Sequence, residues 1–255
     1  MESTKTAIHI DQRDSFALVT LRQYELNSSA LDELLSAFAD LQNDASVRVV
    51  LLTGTGEFFA TGSELKYLSP EQVRTFSLKG QALTRLIENL GKPVIAAING
   101  LASGGGCDLA LACAWRIASP NAAFAYFETS PSLLPSFGGA VRLSKIIGQA
   151  RALELLLTVE SLSANDALRM GLVNRMVSSS DDLLPSCELL ARQISRNAPL
   201  AVKYAMEAVN FAAQTSLDDG LRLESSLFGL CFATEDFEEG TNAFLEKRQP
   251  AFKGK

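Results

Sequence analysis

Apolar positions recur along the chain with two different periods, and segments of the two kinds alternate. Residues 6–21 alternate loosely between apolar and polar and predict two strands about a turn at Gln12–Asp14. Apolar residues at 31, 34, 35, 38 and 41 then follow helical spacing, behind an Asn27-Ser28-Ser29 stretch suited to capping. Val49–Thr53 is a short, β-branched run that reads as a buried strand, ended by Gly54-Thr55-Gly56. After a loop at Glu57–Leu68, Pro70 suits a first helical position, and a long helix should reach about Leu90. Val94–Ile98, Trp115–Ala118 and Ala123–Phe127 predict further strands. The Pro- and Ser-rich stretch Thr129–Ser136 predicts an irregular loop. Gly138-Gly139 precedes a helix through Ile146, and Ala150–Leu157 is another. Beyond Val173–Val177 the pattern is helical: Asp181–Arg196, Pro199–Ala213, Leu217–Phe232 and Asp236–Leu245. Strands alternating with helices predict an α/β class, a mostly parallel sheet with right-handed crossovers, and ligands at the strands' carboxyl ends. No internal repeat, low-complexity segment or flexible linker is visible.

The 255 residues allow one large domain, or one domain with an appendage, and 47% hydrophobic with 20% charged residues leaves ample core. A net charge of −6 argues against a nucleic-acid partner. No apolar run approaches a membrane span, and the first residues carry no signal-peptide hydrophobic stretch. The cysteines at 107, 113, 187 and 231 form no C-x-x-C pair, so reduced thiols in the cytoplasm are expected and a zinc site is not.

The chemistry concentrates between Lys92 and Ser119. There the strand Val94–Ile98 runs through Asn99-Gly100 into Gly104-Gly105-Gly106, Asp108 and the apolar run Leu109–Cys113. Three glycines at a helix entrance let a ligand approach the backbone, where unpaired N–H groups and the positive end of the helix dipole face outward. Such a place binds an anion, or stabilises a carbonyl oxygen that becomes negative during reaction. Other glycine-rich motifs fail on the letters. Gly106 runs into Cys107-Asp108 without the Lys of a phosphate-binding loop, the dinucleotide G-x-G-x-x-G spacing is absent, and Leu101 breaks a nucleophile elbow about Ser103. The chain's single histidine, His9, lies in an early strand-like segment and leaves Ser103 without a plausible base. Gly62-Ser63 also follows a strand end, so the two glycine loops can converge.

At these residues the chain resembles the crotonase (enoyl-CoA hydratase/isomerase) superfamily. Phe59-Ala60-Thr61-Gly62-Ser63-Glu64-Leu65-Lys66 resembles the family's F-x-A/S-G-A/S-D-I/L-K loop, and Ile95–Ala110 its second signature. Phe124–Leu143 has the spacing of the third, and Ala243–Arg248 is similar to the C-terminal end, so the likeness covers nearly the whole chain in order. It implies a ββα-spiral core over residues 1–195 and a helical oligomerisation region over 196–255. That region would assemble a trimer or a dimer of trimers. The substrate implied is an acyl-CoA thioester, with coenzyme A entering as part of the substrate and no further cofactor or metal.

By position, the N–H groups of Ser63 and Gly105 would form an oxyanion hole. Asp108 and Glu128 would take the two catalytic carboxylate positions. Ala60, Gly62, Leu65, Lys66, Phe244 and Lys247 would meet coenzyme A, with Arg248 beside them. Asp108 stands where the family's hydratases have Glu, one methylene longer. Phe127 replaces a usual Pro, and Thr129-Ser130-Pro131-Ser132 replaces an apolar, Gly-ended turn. Three readings follow: hydration of a 2-enoyl-CoA by both acids; double-bond isomerisation by Glu128 alone, or acyl-CoA hydrolysis or decarboxylation; and a catalytically weak acyl-CoA-binding or scaffold protein. The helix dipole should favour ionised Asp108, which would orient or activate water, while a dry aromatic wall at Tyr126-Phe127 should raise the Glu128 pKa and suit it to proton exchange at the substrate carbon.

Overall fold

The computed structural model describes residues 6–62, 68–130 and 132–255. The hairpin β1 (Ile8–Arg13) and β2 (Phe16–Leu21) turns at Asp14, whose φ of 44° is left-handed. The Asn27 side chain caps α1 (Ser28–Asn43) by accepting from the Ala30 N–H at 2.9 Å. β3 (Val49–Thr53) and the three-residue β4 (Phe58–Ala60) lead to α2 (Pro70–Glu88). Ser69 and Gln72 close a reciprocal capping box at the start of α2.

The same strand–strand–helix unit then recurs. β5 (Val94–Ile98), β6 (Leu101–Ser103) and α3 (Gly105–Ala112) form the second copy. β7 (Trp115–Ala118), β8 (Ala123–Ala125) and α4 (Gly139–Ile147) form the third. The first strand of each unit joins a six-stranded sheet ordered β1-β2-β3-β5-β7-β10, which β10 (Arg175–Met176) closes. The second joins a four-stranded sheet ordered β4-β6-β8-β9, with β9 at Leu162–Ser163. All neighbours pair in parallel except β1 with β2 and β8 with β9. The structure therefore holds the ββα core that the family resemblance implies, as a threefold unit with no visible repeat in the sequence. It also resolves the expected single sheet into two, with β4 and β6 in what read as loop.

The central strands β3 and β5 of the large sheet are buried on both faces, which accounts for their unbroken apolar runs. Val50, Leu52, Ala96 and Ile98 face the main core with α1, α2 and α3. Val49, Leu51, Ile95 and Ala97 face α7 (Leu183–Ser195), which covers the other side with Leu183, Cys187 and Leu190. α5 (Gln149–Thr158) and α6 (Ala164–Met170) lie between the third unit and β10. Three helices end the chain: α8 (Pro199–Ala212), α9 (Leu217–Phe232) and α10 (Glu235–Glu246). They bury little within one chain. α8 has no buried residue and α9 only Leu227, while Leu217, Phe228 and Phe232 stand exposed.

Candidate active site

The site grows from the carboxyl ends of β3 and β5, where the side chain of Asn99, which the sequence marks only as part of a turn, ties the loops together. Asn99 Oδ1 accepts from the Gly54 N–H at 3.0 Å, and its Nδ2 donates to the carbonyls of Gly56 and Phe58, each at 3.0 Å. Gly100 lets the chain pass so closely that a Cβ there would lie 2.0 Å from the Glu57 carbonyl. An Asn followed by Gly is the local signal for this lock. Its partners, more than forty residues upstream, are not local.

Beyond β6 the backbone enters α3 through Gly104, at φ 51° and ψ −118°, a conformation strained for any residue with a Cβ. The Gly104 N–H is spent on the Ala125 carbonyl at 3.0 Å, and the first intrahelical bond runs from Asp108 N to Gly104 O at 3.0 Å. The N–H groups of Gly105, Gly106 and Cys107 thus precede the helix ladder, as the glycine entrance predicts. Ala60 and Gly62 come to the same spot. A Cβ on Gly62 would lie 3.7 Å from the Gly105 nitrogen, and one on Gly106 would lie 1.9 Å from the Ala60 carbonyl. Behind Gly105 stands the Phe137 ring, whose Cε2 is 2.7 Å from where a Gly105 Cβ would be. Phe137 was not expected to bear on the site.

Glu128 lies against this entrance. A Cβ on Gly104 would sit 2.0 Å from its Oε1, so only glycine admits the carboxylate there. Its Oε2 is shielded from solvent and has no hydrogen-bond partner among the described residues. Burial, seconded by the charge of nearby Asp108, raises the Glu128 pKa above the ordinary carboxylate range, the direction expected, although Phe127 of the expected dry wall is 44% exposed and the Tyr126 hydroxyl is turned to Asp108.

Asp108 departs from expectation. It is fully buried, and both carboxylate oxygens are engaged. Oδ1 accepts from the Tyr126 hydroxyl at 2.9 Å and Oδ2 from the Phe137 N–H at 2.8 Å. The helix entrance was expected to hold this acid ionised. Desolvation outweighs those donors and pushes its pKa up to about 6.

The remaining expected contacts divide in two. Ser63, Leu65 and Lys66 lie outside the described residues. Phe244 and Lys247 sit at the carboxyl end of α10. Phe244 is 83% exposed and borders a cleft of about 420 Å³ shared with Leu200, Cys231, Phe237 and Phe252. Arg248, expected to be available to phosphates, is committed instead to ion pairs with Glu239 and Glu246. Among the described residues no cluster suited to a metal ion occurs, and no helix is long and apolar enough to cross a membrane.

The family model described as enoyl-CoA hydratase/isomerase matches residues 11–255. The chain is 40% identical over 248 residues to a short-chain-enoyl-CoA hydratase of Clostridium acetobutylicum, covering 94% of this chain and 95% of that one. It is 41% identical over 231 residues to a crotonyl-CoA hydratase of Syntrophomonas wolfei, covering 89% and 88%. Among solved structures, an enoyl-CoA hydratase from Bacillus anthracis superposes with a TM-score of 0.93 at 36% identity, covering 98% of this chain and 100% of that one.

Proposed function

Because the chain belongs to the enoyl-CoA hydratase/isomerase family, we propose that it hydrates a short 2-enoyl-CoA such as crotonyl-CoA, with Glu128 as the reacting carboxylate. The observation that carries this assignment is Glu128 itself, a carboxylate with an unpartnered oxygen beside the Gly105 helix entrance. Ionised Glu128 takes a proton from water as the water oxygen bonds to C3. The electron pair of the double bond moves onto the thioester oxygen, giving an enolate. The Gly105 N–H, with that of Ser63, donates to this oxygen, and a preorganised donor of this kind is commonly worth ~3 kcal/mol. Protonated Glu128 then delivers its proton to C2, the thioester re-forms, and the product is the 3-hydroxyacyl-CoA. One acid serves both transfers, and a raised pKa suits it to taking and returning the proton near neutrality.

The coenzyme A moiety would run past Ala60, Gly62, Leu65 and Lys66, with Phe244 and Lys247 reaching it at an interface between subunits. The exposed apolar faces of α8, α9 and α10 support oligomerisation through residues 196–255, as a trimer or dimer of trimers. The four unpaired cysteines suit a reducing compartment such as the cytoplasm.

Turnover of crotonyl-CoA by the wild type, and its loss in Glu128→Gln, test the reading together. We expect a drop of about 10²–10⁴-fold with CoA-thioester affinity retained. Wild-type turnover by Glu128→Gln would remove Glu128 from the chemistry, and no binding of any acyl-CoA to the wild type would remove the function.

A further inference from the structure

The proposed hydration leaves one buried acid without a part in the chemistry, and its surroundings indicate what it does. The Asp108 carboxylate reaches into the turn at residues 137–139. Its Oδ2 takes the Phe137 N–H at 2.8 Å. Gly139 has no room for a side chain, since a Cβ there would lie 1.7 Å from Asp108 Oδ1 and 2.6 Å from the Tyr126 hydroxyl oxygen. On the far side, the Tyr126 hydroxyl donates to Oδ1 at 2.9 Å, with the tyrosine itself 1% exposed.

The turn that Asp108 holds carries Phe137, and the Phe137 ring is the wall behind Gly105. The carbonyl side of Phe137 is fixed independently. Thr84 Oγ1 donates to that carbonyl at 3.0 Å and Arg142 Nη1 at 2.8 Å, while Glu88 holds the Arg142 guanidinium at two points. The N–H side rests on Asp108. Phe137 is thereby pinned through both its N–H and its carbonyl, its ring lodged between Gly80, Phe76 and Gly105. A carboxylate one methylene shorter than Glu, with both oxygens occupied, is placed to hold this wall and not to reach a water at the substrate.

We infer that Asp108 and Tyr126 are positioning residues for the oxyanion hole: the carboxylate, oriented by the tyrosine hydroxyl, holds the Phe137–Gly139 turn so that the Phe137 ring seats the Gly105 N–H against the thioester oxygen. This rests on the hydratase reading and adds to it a division of labour in which Glu128 alone exchanges protons.

The test separates carbonyl polarisation from water activation. A 3-aryl-2-enoyl-CoA, whose conjugated thioester absorbs further to the red when its carbonyl is polarised, is bound to the full-length protein and its spectrum recorded. Crotonyl-CoA hydration is measured in parallel. Wild type should show both the red shift and turnover; absence of both would count against the hydratase reading itself and not against this inference. Asp108→Ala should lose most of the red shift and about 10²-fold in kcat, as expected when a group aimed at the reacting atom is misplaced by roughly an ångström. Tyr126→Phe, which keeps the ring and its packing, should lose part of the shift and about tenfold in kcat, the worth of one hydrogen bond to a charged group. Asp108→Asn can still accept from the Phe137 N–H and donate to the Tyr126 oxygen. It should therefore retain most of the shift and stay within about tenfold of wild-type kcat, a rescue no water-activating carboxylate would show. If Asp108→Ala fails to fold, the asparagine and phenylalanine variants carry the test. The inference is overturned if Asp108→Asn abolishes hydration while the bound thioester keeps its full red shift. It is equally overturned if Tyr126→Phe and Asp108→Asn both match wild type in shift and rate.

Discussion

The contact between Gly105 and Phe137 sets a sharp demand on Gly105→Ala. The new methyl would lie 2.7 Å from Cε2 and 3.2 Å from Cδ2 of the ring, where ordinary contact begins at 3.4 Å. The ring has little freedom to yield. Phe137 is 2% exposed, packs against Phe76 with centroids 5.2 Å apart, and already fills the space a Gly80 Cβ would need. The deficit of about 0.7 Å must then be taken up by the first turn of α3 moving toward Gly62, which shifts the Gly105 N–H by a similar amount. Loss of one oxyanion donor costs about 3–4 kcal/mol in the transition state, some 10²–10³-fold in kcat. Overpacking at a buried site costs about 1–3 kcal/mol of stability.

The assay is steady-state hydration of crotonyl-CoA beside urea unfolding of the same preparation. We expect kcat to fall by about 10²-fold with KM within about threefold, because the donor matters most once charge has moved onto the oxygen. Phe137→Leu, which removes the ring atoms in conflict, should restore part of that loss in the double variant, a coupling only neighbouring sites show. Wild-type kcat in Gly105→Ala, or a rate loss that Phe137→Leu leaves wholly unrelieved, would refute the argument.

Burial at Asp108 makes a prediction about stability. The folded chain keeps that proton up to about pH 6, whereas the free side chain releases it near 3.8, so the wild type loses stability as pH rises through that window. The gap is worth about 3 kcal/mol. Asp108→Asn does not titrate, so its stability relative to wild type, from urea unfolding at each pH, should rise by about that much between about pH 4 and pH 7; a flat difference would contradict the burial argument. In solution the protein should sediment as a trimer or dimer of trimers, and Phe228→Glu, at a position 73% exposed on α9, should shift it toward monomer. A wild-type monomer at micromolar concentration would contradict the assignment of the C-terminal helices.

Much of this fold is legible along the chain because its causes are local. Asn27, Ser69 and Pro70 announce the starts of α1 and α2 through bonds that span three residues. Val49–Thr53 and Val94–Ile98 read as strands because the sheet is covered on both faces and every position is apolar. The glycine entrance, and the carboxylate twenty-odd residues beyond it, are likewise visible as letters.

The tertiary structure decided the rest. Leu101–Ser103 and Phe58–Ala60 are strands only because they find each other across some forty residues, and Leu101–Ser103 finds β8 some twenty further on; three residues carry no periodicity of their own. The ββα repeat is shared in geometry and not in sequence. The protonation and direction of Asp108 were also out of reach. Its place in the first turn of α3 argues for an ionised acid open to the site. Tyr126, eighteen residues on, and Phe137, twenty-nine on, close over it, and the desolvation they impose exceeds what a helix entrance returns.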